Sequence, residues 1–234
     1  MHHQHDVAAA LGRVRAEIDQ LAERHGRDPA TVKLLAVSKT KPASAVEAAL
    51  AAGQLHFGEN HLQDAMTKIE VFPEPAVQWH FIGGLQSNKT RPVAEHFAWC
   101  HSVDRLKIAQ RQSAQRPEGL PPLNLCLQIN IDGEETKSGI QPDEALSLAT
   151  AIAGLPRVTL RGLMAIPKPR DTVDAQREPF RRLRELRDSI NSAGLELDTL
   201  SMGMTDDMEA AIAEGSTMVR IGTAIFGRRE TAAH

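Results

Sequence analysis

The 234-residue sequence has no tyrosine and few aromatic residues of any kind, with six phenylalanines and two tryptophans. No reaction of this chain can therefore use a tyrosine side chain to donate or accept a proton. The two cysteines, Cys100 and Cys126, are too few for a disulfide framework, and neither lies in a CxxC or Cys/His ligand spacing. We interpret both as buried thiols. The short histidine tract at the start of the chain fixes no ligand geometry, so no metal site is predicted.

Charge of one sign and long apolar runs are also lacking. The 27 basic and 30 acidic side chains give a formal net charge of −3, so no electrostatic surface for nucleic acid or anionic lipid is expected. No apolar run approaches the roughly 18 residues that a membrane-spanning helix needs. The first residues, MHHQHD, contain no apolar stretch of the signal-peptide kind. We therefore predict a cytoplasmic protein without nucleic-acid or membrane partners.

Short apolar runs alternate with amphipathic stretches along the whole chain. A helical pattern formed by Leu11, Val14, Ile18 and Leu21 precedes the first apolar run. Seven of the eight strand candidates have a clear helical pattern behind them. The candidates are residues 34–38, 55–58, 79–83, 98–103, 123–131, 159–166, 199–204 and 217–222.

Strict alternation of strands and helices at this length predicts an α/β fold, a single (β/α)8 barrel with an extra N-terminal helix. An open doubly wound sheet is the alternative, disfavoured because no GxGxxG turn follows the first strand. No linker rich in glycine, proline or serine divides the chain. We predict a flexible N-terminal tail over residues 1–6 and one barrel domain over residues 7–230.

Charged residues near the helices give two further expectations. Asp104 and Asp143 are placed to cap the helices behind them, and Asp206 with Glu209 has the spacing of a capping box. Several arginines of one long helix lie opposite its apolar stripe and are interpreted as a solvated face. They are Arg177, Arg181, Arg182, Arg184 and Arg187.

Barrel enzymes carry their functional residues at the C-terminal ends of the strands, so those positions indicate where a site would lie. Lys39 follows the first strand, and Glu59 and Asn60 follow the second. The third strand contains His80 and ends at Gly83. These residues are the first half of the predicted site.

The last two strands end in residues suited to binding an anion. Ser201 and Thr223 can donate hydroxyl hydrogen bonds, and Gly203 and Gly222 would let backbone N–H groups approach a ligand closely. A phosphate site built from the loops after the seventh and eighth strands recurs in this fold. The same residue types are common in turns, so an ordinary pair of turns is the alternative interpretation.

Lys39 has two interpretations. A lysine at the end of a strand is usually a solvated surface charge. At a barrel mouth, partial burial beside a cation such as Arg220 would favour the neutral amine that forms Schiff bases. A Schiff-base lysine facing a phosphate site fits two chemistries: binding of pyridoxal phosphate, or a Schiff-base aldolase acting on a sugar phosphate.

Six motifs, in order along the chain, resemble the YggS/PROSC family of pyridoxal-phosphate-binding proteins, especially its bacterial YggS branch. The resemblance covers roughly residues 7–228. The motifs are AVSKTKP (36–42), FGEN (57–60), WHFIGGLQSNK (79–89), GLMAI (162–166), LSMGMTDDMEAAI (200–212) and GSTMVRIGTAIFG (215–227).

The resemblance implies a barrel of the alanine racemase N-terminal type, without a second domain, and pyridoxal 5′-phosphate as cofactor. It implies that Lys39 carries the cofactor as an internal aldimine and that Arg220 lies near the pyridine nitrogen. It further implies that Asn60 and His80 line the pocket. The phosphate would be held by Ser201, Gly222 and Thr223.

An arginine at the pyridine nitrogen disfavours protonation of that nitrogen, which leaves the ring a poor electron sink. Racemases of this fold use a second base, a tyrosine from an additional domain, and this sequence has no tyrosine. We therefore predict a protein of vitamin B6 homeostasis, without turnover, that holds the cofactor and delivers it to apo-enzymes as a monomer. The alternatives are a weak amino-acid racemase, or another pyridoxal-phosphate enzyme, with Lys39 as its single base, and the aldolase.

Overall fold

The computed structural model describes residues 5–228, and in them eight parallel strands close into a barrel in chain order. The register Leu34↔Val219 between the first and last strands closes the sheet. The (β/α)8 barrel is therefore confirmed, and the open doubly wound sheet is wrong. The strands are Lys33–Val37 (β1), His56–Glu59 (β2), Gln78–Phe81 (β3), Trp99–Val103 (β4), Leu123–Gln128 (β5), Val158–Met164 (β6), Thr199–Ser201 (β7) and Met218–Ile221 (β8).

Helices surround the barrel, and each strand is followed by at least one of them. The extra N-terminal helix, α1, buries Leu11, Val14, Ile18 and Leu21, as their spacing predicts, and packs against α2, α8 and α9. The helices are Val7–Arg24 (α1), Ala43–Ala51 (α2), Leu62–Val71 (α3), Thr90–His96 (α4), Leu106–Gln115 (α5), Ala145–Ala153 (α6), Val173–Ser192 (α7), Met208–Ala213 (α8) and Thr223–Phe226 (α9). Within residues 5–228, no helix combines the length and the apolar character needed to cross a membrane.

Only part of the predicted N-terminal tail falls among the described residues. Asp6 accepts a hydrogen bond from the Ala9 N–H at 3.0 Å and so begins α1. His5 Nε2 lies 2.7 Å from the Ile225 carbonyl oxygen, which joins it to α9. Residues 1–4 and the predicted end of the domain at residue 230 lie outside the described residues.

The core has two layers, because side chains of a barrel strand alternate between the interior and the surrounding helices. The larger cluster packs the helices against the outside of the strands. A smaller apolar cluster fills the barrel interior and consists of Leu35, Trp99, Cys126, Met164 and Met218. Cys100 and Cys126 are both fully buried, as expected for free thiols of a core.

The predicted helix caps are wrong in detail. The residue before α5 is Arg105, and Asp104 instead pairs with it at 3.5 Å. Asp143 lies inside a 3₁₀ turn, Pro142–Glu144, which comes before α6 and displaces the start of the helix. A similar turn, Thr205–Asp207, precedes α8, and Asp207 rather than Asp206 accepts the Met204 N–H, at 2.7 Å.

Three of the five arginines of α7 contact a buried carboxylate, although the sequence suggested a solvated face. The Glu214 carboxylate, at the end of α8, is almost fully buried and accepts hydrogen bonds from Arg177 Nε at 2.9 Å, Arg181 Nη2 at 3.3 Å and Arg184 Nη1 at 2.6 Å. These bonds hold the pKa of Glu214 below its usual range, although burial alone would raise it. The helix is therefore fixed to α8 by buried charge as well as by its apolar stripe.

Candidate functional site

Lys39 lies in a turn directly after β1, at the C-terminal end of the barrel. Its side chain is exposed, which differs from the partial burial that the sequence suggested. Thr40, the next residue, has φ of 63°, an uncommon conformation for a residue with a side chain. This backbone conformation is unfavourable, so the turn that presents Lys39 needs stabilising contacts from neighbouring residues.

A buried ion pair supports this turn from the side of α3. Lys68 Nζ donates to the Ser38 carbonyl oxygen and to Glu59 Oε1, both at 2.7 Å. The Ser38 hydroxyl also donates to Glu59 Oε1, at 2.7 Å. Lys68 and Glu59 are both almost completely inaccessible to solvent. The residue before Lys39 is thus fixed at its carbonyl and at its side chain.

Asp64 of α3 completes the support. Its Oδ2 accepts the Thr40 N–H at 3.1 Å and a hydrogen bond from Lys68 Nζ at 3.0 Å. Burial raises the pKa of Glu59, while the hydrogen bonds from Lys68 and Ser38 oppose that rise. The sequence pointed to Glu59 as a strand-end residue, but the contribution of Lys68 comes from contacts that no local pattern shows.

Two buried oxygen atoms beside this turn have no hydrogen-bond partner among residues 5–228. They are Glu59 Oε2 and Asn60 Oδ1. Gly83, two residues after β3, approaches Asn60 so closely that a Cβ there would lie 2.2 Å from the Asn60 carbonyl oxygen. Unpartnered buried acceptors are rare in folded proteins, so this part of the mouth fits a ligand that brings a hydrogen-bond donor.

The predicted anion site lies at the ends of β7 and β8. Gly203 has φ of +101°, a conformation that favours glycine. Gly222 packs against β1, since a Cβ there would lie 3.4 Å from the Val37 carbonyl oxygen. Thr223 is exposed and begins α9, so its N–H and that of Ala224 have no partner within the helix. Gly222 and Thr223 therefore follow β8, the strand that pairs with β1, and Lys39 follows β1.

Arg220 and Ser201 are joined inside the barrel. Arg220 Nη1 donates to Ser201 Oγ at 2.7 Å, and its Nη2 donates to the Ala165 carbonyl oxygen at 3.1 Å. Ser201 is fully buried and Arg220 is 5% exposed. Burial lowers the pKa of Arg220 to about 10, so the guanidinium stays charged at neutral pH.

His80 belongs to a chain of three histidines that crosses the barrel interior. His80 Nε2 lies 2.9 Å from His56 Nδ1, and His80 Nδ1 lies 2.9 Å from His101 Nε2. His101 Nδ1 in turn lies 2.8 Å from Ser201 Oγ. His80 and His101 are fully buried, so His80 does not face open space at the mouth.

The protonated, cationic form of all three histidines is disfavoured. Burial lowers the pKa of His101 to about 3 and that of His80 well below its usual range. Burial, with the nearby Lys33 charge, lowers the pKa of His56 to about 4. Within residues 5–228, no group of three or more potential ligand side chains has an arrangement that could hold a metal ion.

The structure therefore brings Lys39, Asn60, Gly222 and Thr223 to one end of the barrel and places the remaining predicted residues in its interior. Sequence reasoning missed His56 and His101. The available signal was a histidine in each of three successive strand candidates, in LHFG, WHFIG and AWCHSV. The predicted roles toward a cofactor stay predictions.

Comparison with known proteins agrees with this architecture. The family model described as alanine racemase, N-terminal domain matches residues 10–230. A pyridoxal phosphate homeostasis protein of Pseudomonas aeruginosa is 60% identical over 96% of both chains. Its counterpart in Escherichia coli is 56% identical over 96% of this chain and 97% of the relative. The structure of PipY from Synechococcus elongatus with PLP bound has 38% identity and a TM-score of 0.78, covering 90% of this chain and 99% of PipY.

The fold and the family model define the class: a barrel of the alanine racemase N-terminal type. Within that class, the chain belongs to the family of pyridoxal phosphate homeostasis proteins, the YggS/PROSC family.

Proposed function

We propose that this protein binds pyridoxal 5′-phosphate covalently at Lys39 and serves the homeostasis of that cofactor inside the cell, without catalytic turnover. The observation that carries the proposal is the mouth of the barrel. Within residues 5–228, it combines an exposed lysine on a supported turn, an Asn60 Oδ1 without a hydrogen-bond partner, and N–H groups at the start of α9 that have no partner inside that helix. The names of the relatives and PLP binding by PipY agree with it.

The residues have distinct roles in this proposal. The cofactor supplies an aldehyde that reacts with amines and a ring that withdraws electrons. Lys39 Nζ provides the amine, and Asn60 provides an acceptor on the neighbouring strand. The N–H groups at Gly222 and Thr223 suit a phosphate dianion, because the first N–H groups of a helix lack partners. Ser201 would assist at the phosphate, and His80 would act from behind the pocket.

The proposed absence of turnover rests on Arg220, which in this proposal would lie near the pyridine nitrogen. Its buried guanidinium remains cationic, and a cation near the pyridine nitrogen opposes protonation of that nitrogen. The ring then stabilises a carbanion poorly. The sequence also has no tyrosine, so a second base of the tyrosine type is missing. Lys39, once released from the cofactor, is the remaining candidate base, which keeps a weak single-base racemase as the alternative outcome.

The first experiment is the visible absorbance of the purified protein before and after borohydride reduction, followed by mass mapping of the modified peptide. We expect a yellow protein whose cofactor becomes fixed on Lys39. Lys39→Ala should lose the chromophore, whereas Lys89→Ala, another exposed lysine of the same half of the barrel, should keep it. A colourless protein that stays colourless with added pyridoxal phosphate would overturn the proposal and favour the aldolase.

The second experiment separates a carrier from an enzyme. We propose that the loaded protein acts as a monomer and passes its cofactor to apo-enzymes that require pyridoxal phosphate. Activity of such an apo-enzyme, restored by the loaded protein at a concentration where free cofactor is negligible, would support delivery. Turnover of amino acids above the rate of the Lys39→Ala variant would instead support the single-base enzyme.

A further inference from the structure

The three histidines connect the two ends of the barrel. His56 begins β2, at the end opposite Lys39, and borders a cavity of about 280 Å³ lined also by Arg15 and Lys33. From there the hydrogen-bond chain runs through His80 and His101 to Ser201, the last residue of β7.

The proton positions along this chain depend on one another. A neutral imidazole has one N–H and one lone pair, so each ring must donate on one side and accept on the other. The burial of His80 and His101 keeps both rings neutral. Each of the N···N contacts of 2.9 Å needs one proton, and a proton placed in one contact fixes the direction of the next.

Only two arrangements satisfy these contacts. In the first, the Ser201 hydroxyl donates to His101 Nδ1, and all three histidines carry their proton on Nε2. In the second, all three carry it on Nδ1, and His101 donates to Ser201 Oγ. In each arrangement all three histidines carry the proton on the same ring nitrogen. The tautomer of His56 therefore reports the tautomer of His101.

Ser201 distinguishes the two arrangements. Arg220 Nη1 can only donate, so it always occupies one lone pair of Ser201 Oγ. In the first arrangement the hydroxyl hydrogen is used by His101. In the second, the oxygen accepts from both Arg220 and His101, and its hydrogen is free for another acceptor. Without a ligand, the first arrangement is favoured because it leaves no buried O–H unpaired.

We infer that the histidine chain positions the Ser201 hydroxyl, and that a phosphate group bound at the barrel mouth converts His56, His80 and His101 together from the Nε2–H to the Nδ1–H tautomer. The three histidines are positioning residues, since they act on the ligand through Ser201. The inference rests on the proposed function, because it needs Ser201 to donate to the phosphate of the cofactor.

The conversion conserves protons and charge. The hydroxyl proton of Ser201 moves to His101 Nδ1, the Nε2 proton of His101 moves to His80 Nδ1, and the Nε2 proton of His80 moves to His56 Nδ1. His56 releases its own Nε2 proton to water in the cavity. Ser201 regains a proton from a phosphate monoanion or a water molecule at the mouth. Binding at one end thus changes the hydrogen-bonding character of the other end.

The test uses ¹⁵N-labelled histidine in the full chain, because long-range ¹H–¹⁵N spectra distinguish the two tautomers from the imidazolium. We expect the Nε2–H form at all three positions without ligand, and the Nδ1–H form after pyridoxal phosphate is bound. Absorbance of the same samples reports cofactor binding separately. A yellow sample with unchanged tautomers would overturn the inference alone, and a sample that binds no cofactor would overturn both this inference and the proposed function.

Two variants of His56 separate positioning from general damage. Glutamine can donate or accept, so His56→Gln should leave the conversion of His80 and His101 intact. Leucine can do neither, so His56→Leu leaves His80 Nε2 unpaired in both states, as a donor without the cofactor and as an acceptor with it. Cofactor affinity should therefore change by less than roughly tenfold. A tenfold weaker affinity in His56→Leu, or a loss of conversion in His56→Gln, would contradict the inference.

Discussion

Acidification should destabilise the ligand-free protein well above the pH at which carboxylates titrate. His80 and His101 are fully buried, and burial lowers the pKa of both from the ordinary value of 6.5, that of His101 to about 3. The unfolded chain therefore binds protons near pH 6.5 that the folded chain does not. The stability that these neutral histidines contribute is complete above pH 6.5 and is lost as the pH falls toward the folded-state pKa values.

The magnitude follows from linkage. Between pH 7.5 and pH 5.5, each histidine that stays neutral in the fold lowers the unfolding free energy by about 1.4 kcal/mol. The two fully buried histidines should together lower it by about 3 kcal/mol, and the half-buried His56 adds to the decrease in the same direction.

Urea unfolding followed by the fluorescence of Trp79 and Trp99 measures this decrease. His101→Gln keeps a donor and an acceptor in the chain but removes one titrating group, so its decrease should be smaller by about 1.4 kcal/mol. The exposed His96→Gln is the matched control and should behave as the parent. A decrease below about 1 kcal/mol in the parent, or one equally large in His101→Gln, would refute the reasoning.

Two further predictions concern the mouth. Lys68→Met leaves the buried Glu59 carboxylate without its cation and should lower the free energy of unfolding by about 3–5 kcal/mol, measured by thermal unfolding. Adding Glu59→Gln should restore most of that loss, and a double variant less stable than Lys68→Met would contradict the reasoning. Gly83→Ala places a Cβ 2.2 Å from the Asn60 carbonyl oxygen and should weaken cofactor binding by about tenfold in an absorbance titration. Among residues 5–228, a Cβ at Gly84 would meet nothing within 4 Å, so Gly84→Ala should bind as the parent. Equal affinities of the two variants would rule out the close approach as a cause.

The sequence predicted the barrel because the fold repeats one local pattern eight times. Each strand candidate overlaps an observed strand, but several apolar runs extend beyond the hydrogen-bonded part. The run 123–131 contains a strand that ends at Gln128, and the run 199–204 contains one that ends at Ser201. Hydrophobicity marks burial, and residues next to a strand are often buried without being paired.

The mouth of the barrel was also predictable, since the position of a residue after its strand decides which end it occupies. Lys39, Asn60 and Thr223 were identified in this way. The contacts that hold charged side chains in place were not predictable, because they depend on how one element packs on another. The pairing of Lys68 with Glu59 needs the packing of α3 on β2, and the binding of Arg177 to Glu214 needs the packing of α7 on α8.

The exposure of Lys39 bears directly on the proposed role. An enzyme that stabilises a carbanion benefits from excluding water from its cofactor, whereas a carrier must let water or an acceptor amine reach the bond that holds the cofactor. Here the charged residues that support the lysine turn, Glu59 and Lys68, are inaccessible to solvent, while Lys39 itself is exposed. In the proposed function, this support would fix where the cofactor binds without closing the site above it. A buried support beneath an exposed lysine favours reversible holding of the cofactor over turnover. That support comes from Lys68 and Asp64 of α3, which lie outside the strand ends that the sequence pointed to.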